Sequence, residues 1–150
     1  MIREATISDI LLVAKIIGHE EVWAYVIDDG TTEAPIDVAM GCITNPNTHV
    51  LLSDDNAVLV FSKKNAITYE VHTALLPEAR GKGSESIGIA CCEWMFENTD
   101  CTKIISWVPT YNESALKYSL KCGLRIEGLV ESSFRKGGKL YGQHLVGREK

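Results

Sequence analysis

Leu75-Leu76-Pro77-Glu78-Ala79-Arg80-Gly81-Lys82-Gly83-Ser84 decides the reading of this chain. An apolar, strand-like segment ends at a proline. A basic, glycine-rich turn then opens directly into a helical pattern. The first N–H groups of a helix have no intrahelical partner, and the positive end of the helix dipole lies beside them. A strand, a glycine turn and a helix start therefore predict a cradle for an anion, a phosphate above all. Glycine lets the backbone approach such a group with no Cβ in the way. The order Arg80-Gly81-Lys82-Gly83 fits neither Gly-x-x-x-x-Gly-Lys-[Ser/Thr] nor Gly-x-Gly-x-x-Gly, which weakens nucleoside triphosphatase and dinucleotide readings.

Working outward, Ile2 to Thr6 reads as a short strand. Ser8 or Asp9 caps a helix whose apolar positions run from Ile10 to Ile17, and Gly18 ends it. Glu20 to Ile27 is a second helix, closed by Asp28-Asp29-Gly30. Residues 31 to 48, with Pro35 and Pro46, read as irregular and leave room for a short helix from Ile36 to Met40. Val50 to Ser53, Ala57 to Ser62 and Ile67 to Leu75 form a meander of strands around Asp54-Asp55-Asn56 and Lys63-Lys64-Asn65. Ser84 to Phe96 is a helix with Ile87, Cys91, Trp94 and Met95 at helical spacing. Lys103 to Val108 is a strand stopped by Pro109. Glu113 to Lys121 is a helix ended by Gly123. Arg125 to Glu131 and Leu140 to Gly147 close the chain as a hairpin over Lys136-Gly137-Gly138-Lys139. The order β-α-α-β-β-β-α-β-α-β-β predicts one α/β (α+β) domain over residues 1–150, built on a mixed sheet.

At 150 residues the chain can bury one sizeable core, and 45% hydrophobic with 23% charged residues is ordinary globular composition. A net charge of −5 argues against a nucleic-acid partner, whose binding is dominated by basic side chains. Cys42, Cys91, Cys92, Cys101 and Cys122 are odd in number and hold no Cys-x-x-Cys, so disulfide scaffolding and zinc are disfavoured and a reducing, cytoplasmic setting is expected. His19, His49 and His144 show no metal-ligand spacing, so no metal is expected. Neither a signal peptide nor a bilayer-length apolar run is legible, so no membrane association is expected.

The glycine turn after a strand and a proline resembles the pyrophosphate loop of the GNAT superfamily, the acyl-CoA-dependent N-acyltransferases. The opening Ile2-Arg3-Glu4-Ala5-Thr6-x-x-Asp9 is similar to a family start. Asn112-x-x-Ala115 with Gly123-Leu124 resembles the second cofactor motif. The element order is also that of the family, so the resemblance spans nearly the whole chain, and small acetyltransferase-like proteins of tailed bacteriophages look similar. The resemblance implies the GNAT fold, a mostly antiparallel sheet of six to seven strands flanked by helices, with a splayed parallel pair at Ile67–Leu75 and Lys103–Val108. It implies acetyl-CoA (CoA) as co-substrate, an amine (small molecule, protein N-terminus or Lys) as acceptor, and direct transfer in a ternary complex. Thr73, Ala74 and Leu75 would pair with the pantetheine. Backbone N–H groups from Gly81 to Ser84, with charge from Arg80 and Lys82, would hold the pyrophosphate, and Asn112 would flank the pantetheine arm. A homodimer is left open.

One departure matters. The family pattern Arg/Gln-x-x-Gly-x-Gly/Ala puts its last small residue where this chain has Glu85. A carboxylate beside a diphosphate is repelled, so either Glu85 turns outward or CoA binding is weakened.

Glu70 and His72 alternate on an expected central strand and share a face. A carboxylate raised by partial burial, or an imidazole near its usual range, would take the proton from an ammonium acceptor. Mutual pairing of the two is the structural alternative. For the acid, the resemblance points to the position of Ser119, with Tyr118 one residue away and about 100° around the helix. Cys122 reads as a buried structural thiol. A GNAT-shaped binding or assembly protein without turnover is the alternative function, favoured by Glu85 and by the absence of a Tyr at position 119.

Overall fold

The computed structural model describes residues 1–150. Seven strands form one sheet in the order β1-β2-β3-β4-β5-β7-β6. They are β1 (Ile2–Glu4), β2 (Thr48–Ser53), β3 (Ala57–Lys63), β4 (Thr68–Leu75), β5 (Lys103–Pro109), β6 (Arg125–Lys136) and β7 (Lys139–Glu149). The helices are α1 (Ile10–Ile17), α2 (Glu20–Val26), α3 (Pro35–Thr44), α4 (Glu85–Asn98) and α5 (Glu113–Lys121). All neighbours pair antiparallel except β4 and β5. No helix is long and apolar enough to cross a membrane.

Both faces of the sheet are covered. β3 is buried from Ala57 to Phe61, which is why its sequence is continuously apolar rather than alternating. On one face Val58, Val60 and Ala74 pack with Val13 and Ile16 of α1 and Ala39 of α3. On the other, Leu59, Phe61, Tyr69 and Val71 pack with Cys91, Cys92, Met95 and Phe96 of α4. Along β4, Tyr69 and Val71 thus face α4, while Ala74 faces α1. By the strand's twofold alternation Glu70 and His72 share the α1 face and Thr73 the α4 face.

Two expectations about elements are corrected. The stretch read as irregular from 31 to 48 contains a full helix, α3, from Pro35 to Thr44, and β2 already begins at Thr48. Pro35 stands in the first turn, where a missing N–H costs nothing and a fixed φ suits the helix. Burial of Ala39, Cys42 and Ile43 against α1 then sustains it. The closing hairpin is also longer than expected, with β6 running to Lys136 and β7 starting at Lys139. Gly137 and Gly138 (φ +58° and +76°) alone make the turn, a conformation glycine adopts without strain. Irregular register between Val130 and Phe134 absorbs the extra polar residues Glu131, Ser132 and Ser133.

The parallel pair sets up the site. β4 and β5 register only from Thr68↔Lys103 to Glu70↔Ile105, although both strands continue. Beyond that point β5 stays paired with β7 out to Pro109↔Gln143, and β4 stays paired with β3 out to Leu75↔Ala57. Each strand follows its other neighbour, and a twisted sheet held from both sides opens between them. Ser106 Oγ donates to the Val71 carbonyl at 3.0 Å, at the fork.

Candidate functional site

The gap between β4 and β5 runs to the turn that begins α4. Leu76 ends the strand, Pro77–Ala79 make a single 3-10 turn, and the chain then enters Arg80–Ser84. Gly81 (φ +102°) and Gly83 (φ +88°) are left-handed, so this turn requires glycine at both places. A Cβ at either would meet nothing within 4 Å, so the turn is open in front. The N–H groups of Gly81, Lys82, Gly83 and Glu85 make no hydrogen bond within the chain. That is a ready set of donors at a helix start, and its chemistry suits a phosphate.

Two members of the expected cradle do other work. Ser84 N–H donates to Gly81 O at 3.1 Å, so Glu85 rather than Ser84 supplies the last free donor. Arg80 sends Nε to Leu75 O at 2.9 Å and an Nη to Glu21 O at 3.1 Å. Its guanidinium latches the end of β4 to α2 instead of standing free for phosphate. Lys82 is exposed and forms no ion pair, so its ammonium stands unpaired beside the turn. The Glu85 carboxylate is half-buried in the first turn of α4 without a partner.

Between the splayed strands, on the α4 face, lies a cavity of about 30 Å³ lined by Val71, Thr73, Ser106, Gly88, Cys92, Ser119 and Cys122 among others. It is the floor of the gap, with room for water but not for a pantetheine arm. Gly88 explains how α4 and α5 come so close there: a Cβ on it would collide with Cys122 Sγ and lie 2.9 Å from the Tyr118 hydroxyl. Asn112 caps α5, accepting from Ala115 N–H at 3.3 Å, which leaves its amide nitrogen free. Ser119 Oγ donates to Ala115 O at 2.9 Å while bordering the cavity. Tyr118 is a poor match for an acid. Its hydroxyl donates to Ser84 O at 3.2 Å, and burial pushes the phenol well above its usual range. Burial likewise raises the Cys122 thiol, so it is an inert neighbour rather than a nucleophile.

On the opposite face of the sheet, Glu70 and His72 do come together. His72 Nε2 lies 2.8 Å from Glu70 Oε2, and Lys64 Nζ lies 3.2 Å from Glu70 Oε1. The expectation of a carboxylate raised by burial is overturned. His72 first, then Lys64, outweigh desolvation and hold the Glu70 carboxyl at about 2. Glu70 is therefore a fixed anion at neutral pH and a weak base. The base-and-acid set expected from the sequence is thus split, with Glu70 and His72 on the α1 face and Ser119 and Tyr118 on the α4 face.

The end of α2 and the loop after it meet the β6–β7 hairpin and the residues that follow β5. Asp29 accepts from Gly137 N–H and Gly138 N–H at 2.8 and 2.9 Å, Lys136 Nζ donates to Ile27 O at 2.8 Å, and Tyr111 OH donates to Tyr25 O at 2.7 Å. The Asp29 and Lys136 contacts clasp the α2–α3 loop to the tip of the β6–β7 hairpin, and Tyr111 ties the β5–α5 connection to α2. Tyr111 stands edge-on to Tyr141 at 4.9 Å and beside Phe134 at 6.0 Å, giving that corner an aromatic wall. Sequence reasoning missed Asp29, Tyr111, Lys64 and Ser106. Only the Asp28-Asp29-Gly30 turn beside a second glycine turn offered a signal. No cluster of three or more His, Cys, Asp or Glu gathers as metal donors, and all five cysteines are free.

Solved structures place this architecture. Spermidine N-acetyltransferase from Vibrio cholerae, in complex with CoA and spermine, superposes with a TM-score of 0.80 at 15% identity over 99% of this chain and 94% of that one. Ribosomal-protein-S5-alanine acetyltransferase from Vibrio fischeri gives 0.77 at 15% identity over 99% and 91%. A GNAT-family acetyltransferase from Bacillus anthracis gives 0.78 at 17% identity over 99% and 93%. No protein-family model and no curated protein sequence matches the chain. The chain therefore has the GNAT fold, with its parallel β4–β5 pair in a mostly antiparallel sheet.

Proposed function

We propose that this protein is an acyl-CoA-dependent N-acyltransferase, using acetyl-CoA and passing the acetyl group directly to an amine in a ternary complex. One observation carries the reading: a gap between β4 and β5 leads to a glycine turn whose Gly81, Lys82, Gly83 and Glu85 N–H groups are unpaired. The turn would take the pyrophosphate. The edge of β4 at Thr73, Ala74 and Leu75, with Asn112 opposite, would hold the pantetheine amides. The acetyl carbonyl would then lie in the gap, polarised by a β4 N–H as in an oxyanion hole.

The two-faced layout supports transfer without an acyl-enzyme. Cys122 and Cys92, the thiols of the cavity, are pushed up by burial, Cys92 to about 12, so neither offers a thiolate nucleophile at neutral pH. The amine would approach from the α1 face and the thiol would depart on the α4 face, near Ser119. Neighbours of the same fold are named for spermidine and for a protein alanine as acceptors, so small amines and peptide N-termini are the classes to test.

A second reading, a binding or assembly protein of GNAT shape without turnover, is favoured by the unpartnered Glu85 at the helix start and by the committed Tyr118 hydroxyl. Titration calorimetry with CoA and acetyl-CoA, followed by thiol release over a panel of amines, separates the two. Micromolar binding with amine-dependent thiol release is the expected result. Absence of heat with either nucleotide would leave the assembly reading.

A further inference from the structure

We propose that Arg80 and Tyr111 are positioning residues that strap α2 across the open end of the β4–β5 fork, where the helix walls the approach of the amine. This rests on the transferase reading above and assigns residues to its acceptor side.

The argument begins with the two arms of the fork. β4 and β5 run parallel, so Leu75 and Pro109, their last residues, lie at the same end of the sheet. Arg80 follows the first arm and Tyr111 follows the second. Arg80 donates from Nε to the Leu75 carbonyl at 2.9 Å and from Nη2 to the Glu21 carbonyl at 3.1 Å. Tyr111 donates its hydroxyl to the Tyr25 carbonyl at 2.7 Å. Glu21 and Tyr25 stand one turn apart on the same side of α2, about 6 Å along its axis. One helix is therefore tied to both arms, and it bridges the mouth where the strands have parted.

Little else holds α2 in place. It has seven residues, and helices below about 12 residues are marginal in water by themselves. Val22 is its only buried residue, and it packs with Ala74 and Leu76 in the core on the α1 face. That contact also fixes the side: α2 lies on the face from which the amine would come. The Tyr25 carbonyl belongs to the last turn, where the helix supplies no N–H, so the Tyr111 hydroxyl satisfies an orphan acceptor. One residue past the helix, Lys136 Nζ holds the Ile27 carbonyl at 2.8 Å. The sheet sets the width of the fork, whereas these donors set where α2 stands over it. Losing one of them leaves the glycine turn and the sheet intact and loosens the acceptor wall.

The test has two arms. The first needs neither ligand nor turnover: amide hydrogen exchange of the unliganded protein under native conditions. Tyr111→Phe keeps the ring against Tyr141 and removes only the donor. Arg80→Lys keeps the charge and removes the planar fork that bridges two carbonyls. Each should speed exchange of the amides from Trp23 to Ile27 by about fivefold or more, while those of β2 and β3 stay at the parent's rate. Parent-like exchange across α2 in both variants overturns the strap.

The second arm is steady-state kinetics with the best amine of the panel. Each variant should raise the amine KM by about tenfold, with kcat and the CoA Kd close to the parent's, the pattern of lost acceptor binding. A role confined to stability would leave the amine KM where it is. An unchanged amine KM, or a loss that falls equally on CoA, overturns the positioning role. If calorimetry finds that the parent binds no CoA, the transferase reading falls and the acceptor role falls with it. The exchange arm decides the strap in either case.

Discussion

Ser106 Oγ donates to the carbonyl oxygen of Val71 at 3.0 Å, where β4 and β5 cease to pair. A side chain thus takes the place of the next backbone rung, and the sheet can open without orphaning a carbonyl. Ser106→Ala leaves that carbonyl unpaired, at a cost of about 1–3 kcal/mol. In a domain of this size each kcal/mol moves Tm by roughly 2–4 °C. Thermal melts of Ser106→Ala should therefore fall several degrees below the parent. Coincident melts would mean that the bond contributes nothing to holding the fork.

Gly83→Val is expected to raise the CoA Kd at least tenfold. Its Cβ would stand in the open mouth of the turn, where no chain atom lies within 4 Å of it. The φ of +88° also strains any residue with a Cβ, by about 1–2 kcal/mol, so a small fall in Tm accompanies the loss. Calorimetry well below the melt separates the two effects. Parent-like affinity in the folded variant would remove the turn from the CoA site.

Glu85→Gln should tighten CoA binding severalfold at low ionic strength, with the gain shrinking as salt is added. The carboxylate has no partner in the first turn of α4, beside the free donors of the cradle. An unchanged Kd at low salt would show that the side chain faces away from the pyrophosphate.

Gly88→Ala should destabilise the fold by about 1–3 kcal/mol through overpacking. The new methyl would meet the buried Cys122 Sγ and the partly buried Tyr118 hydroxyl at the α4–α5 contact. The double variant Gly88→Ala, Tyr118→Phe should recover part of the loss in urea unfolding. Full stability of Gly88→Ala alone would mean that the helices have slack at this contact.

Acid stability should depend on Glu70. Its folded carboxyl sits at about 2, below the 4.5 of a free glutamate. The unfolded chain therefore binds more protons between those values, and stability falls as pH falls through that window. The contribution is complete above about 4.5. In unfolding series from pH 7 to pH 2.5, Glu70→Gln should show a shallower decline than the parent. Parallel curves would mean that the His72 and Lys64 contacts do not hold in solution.

Much of this was legible in the residues. The strand at Ala57 to Ser62, the glycine turn at 81–83 and the helix from Glu113 to Lys121 each rest on a local rule, and each stands where the sequence put it. The segment from 31 to 48 misled because two prolines and few aromatics look like a loop, whereas Pro35 begins α3 and burial against α1 sustains it. Glu70 misled for a different reason. Partial burial raises a carboxyl, and adjacent cations lower it, but only tertiary structure reveals that Lys64 reaches back across the β3–β4 turn.

The sequence by itself determined the order of the seven strands, the alternation of faces along β4 and the place of the glycine turn before α4. These depend on periodicity, capping and the conformations open to glycine, all short-range along the chain. Only the tertiary structure decided that β4 and β5 part after Glu70, that Arg80 is a latch to Glu21 O and Leu75 O, and that the expected base and acid lie on opposite faces. Those outcomes come from competition among distant partners for the same backbone groups and charges. A carbonyl, a guanidinium or a carboxylate has few bonding positions, and the fold settles which neighbour fills them.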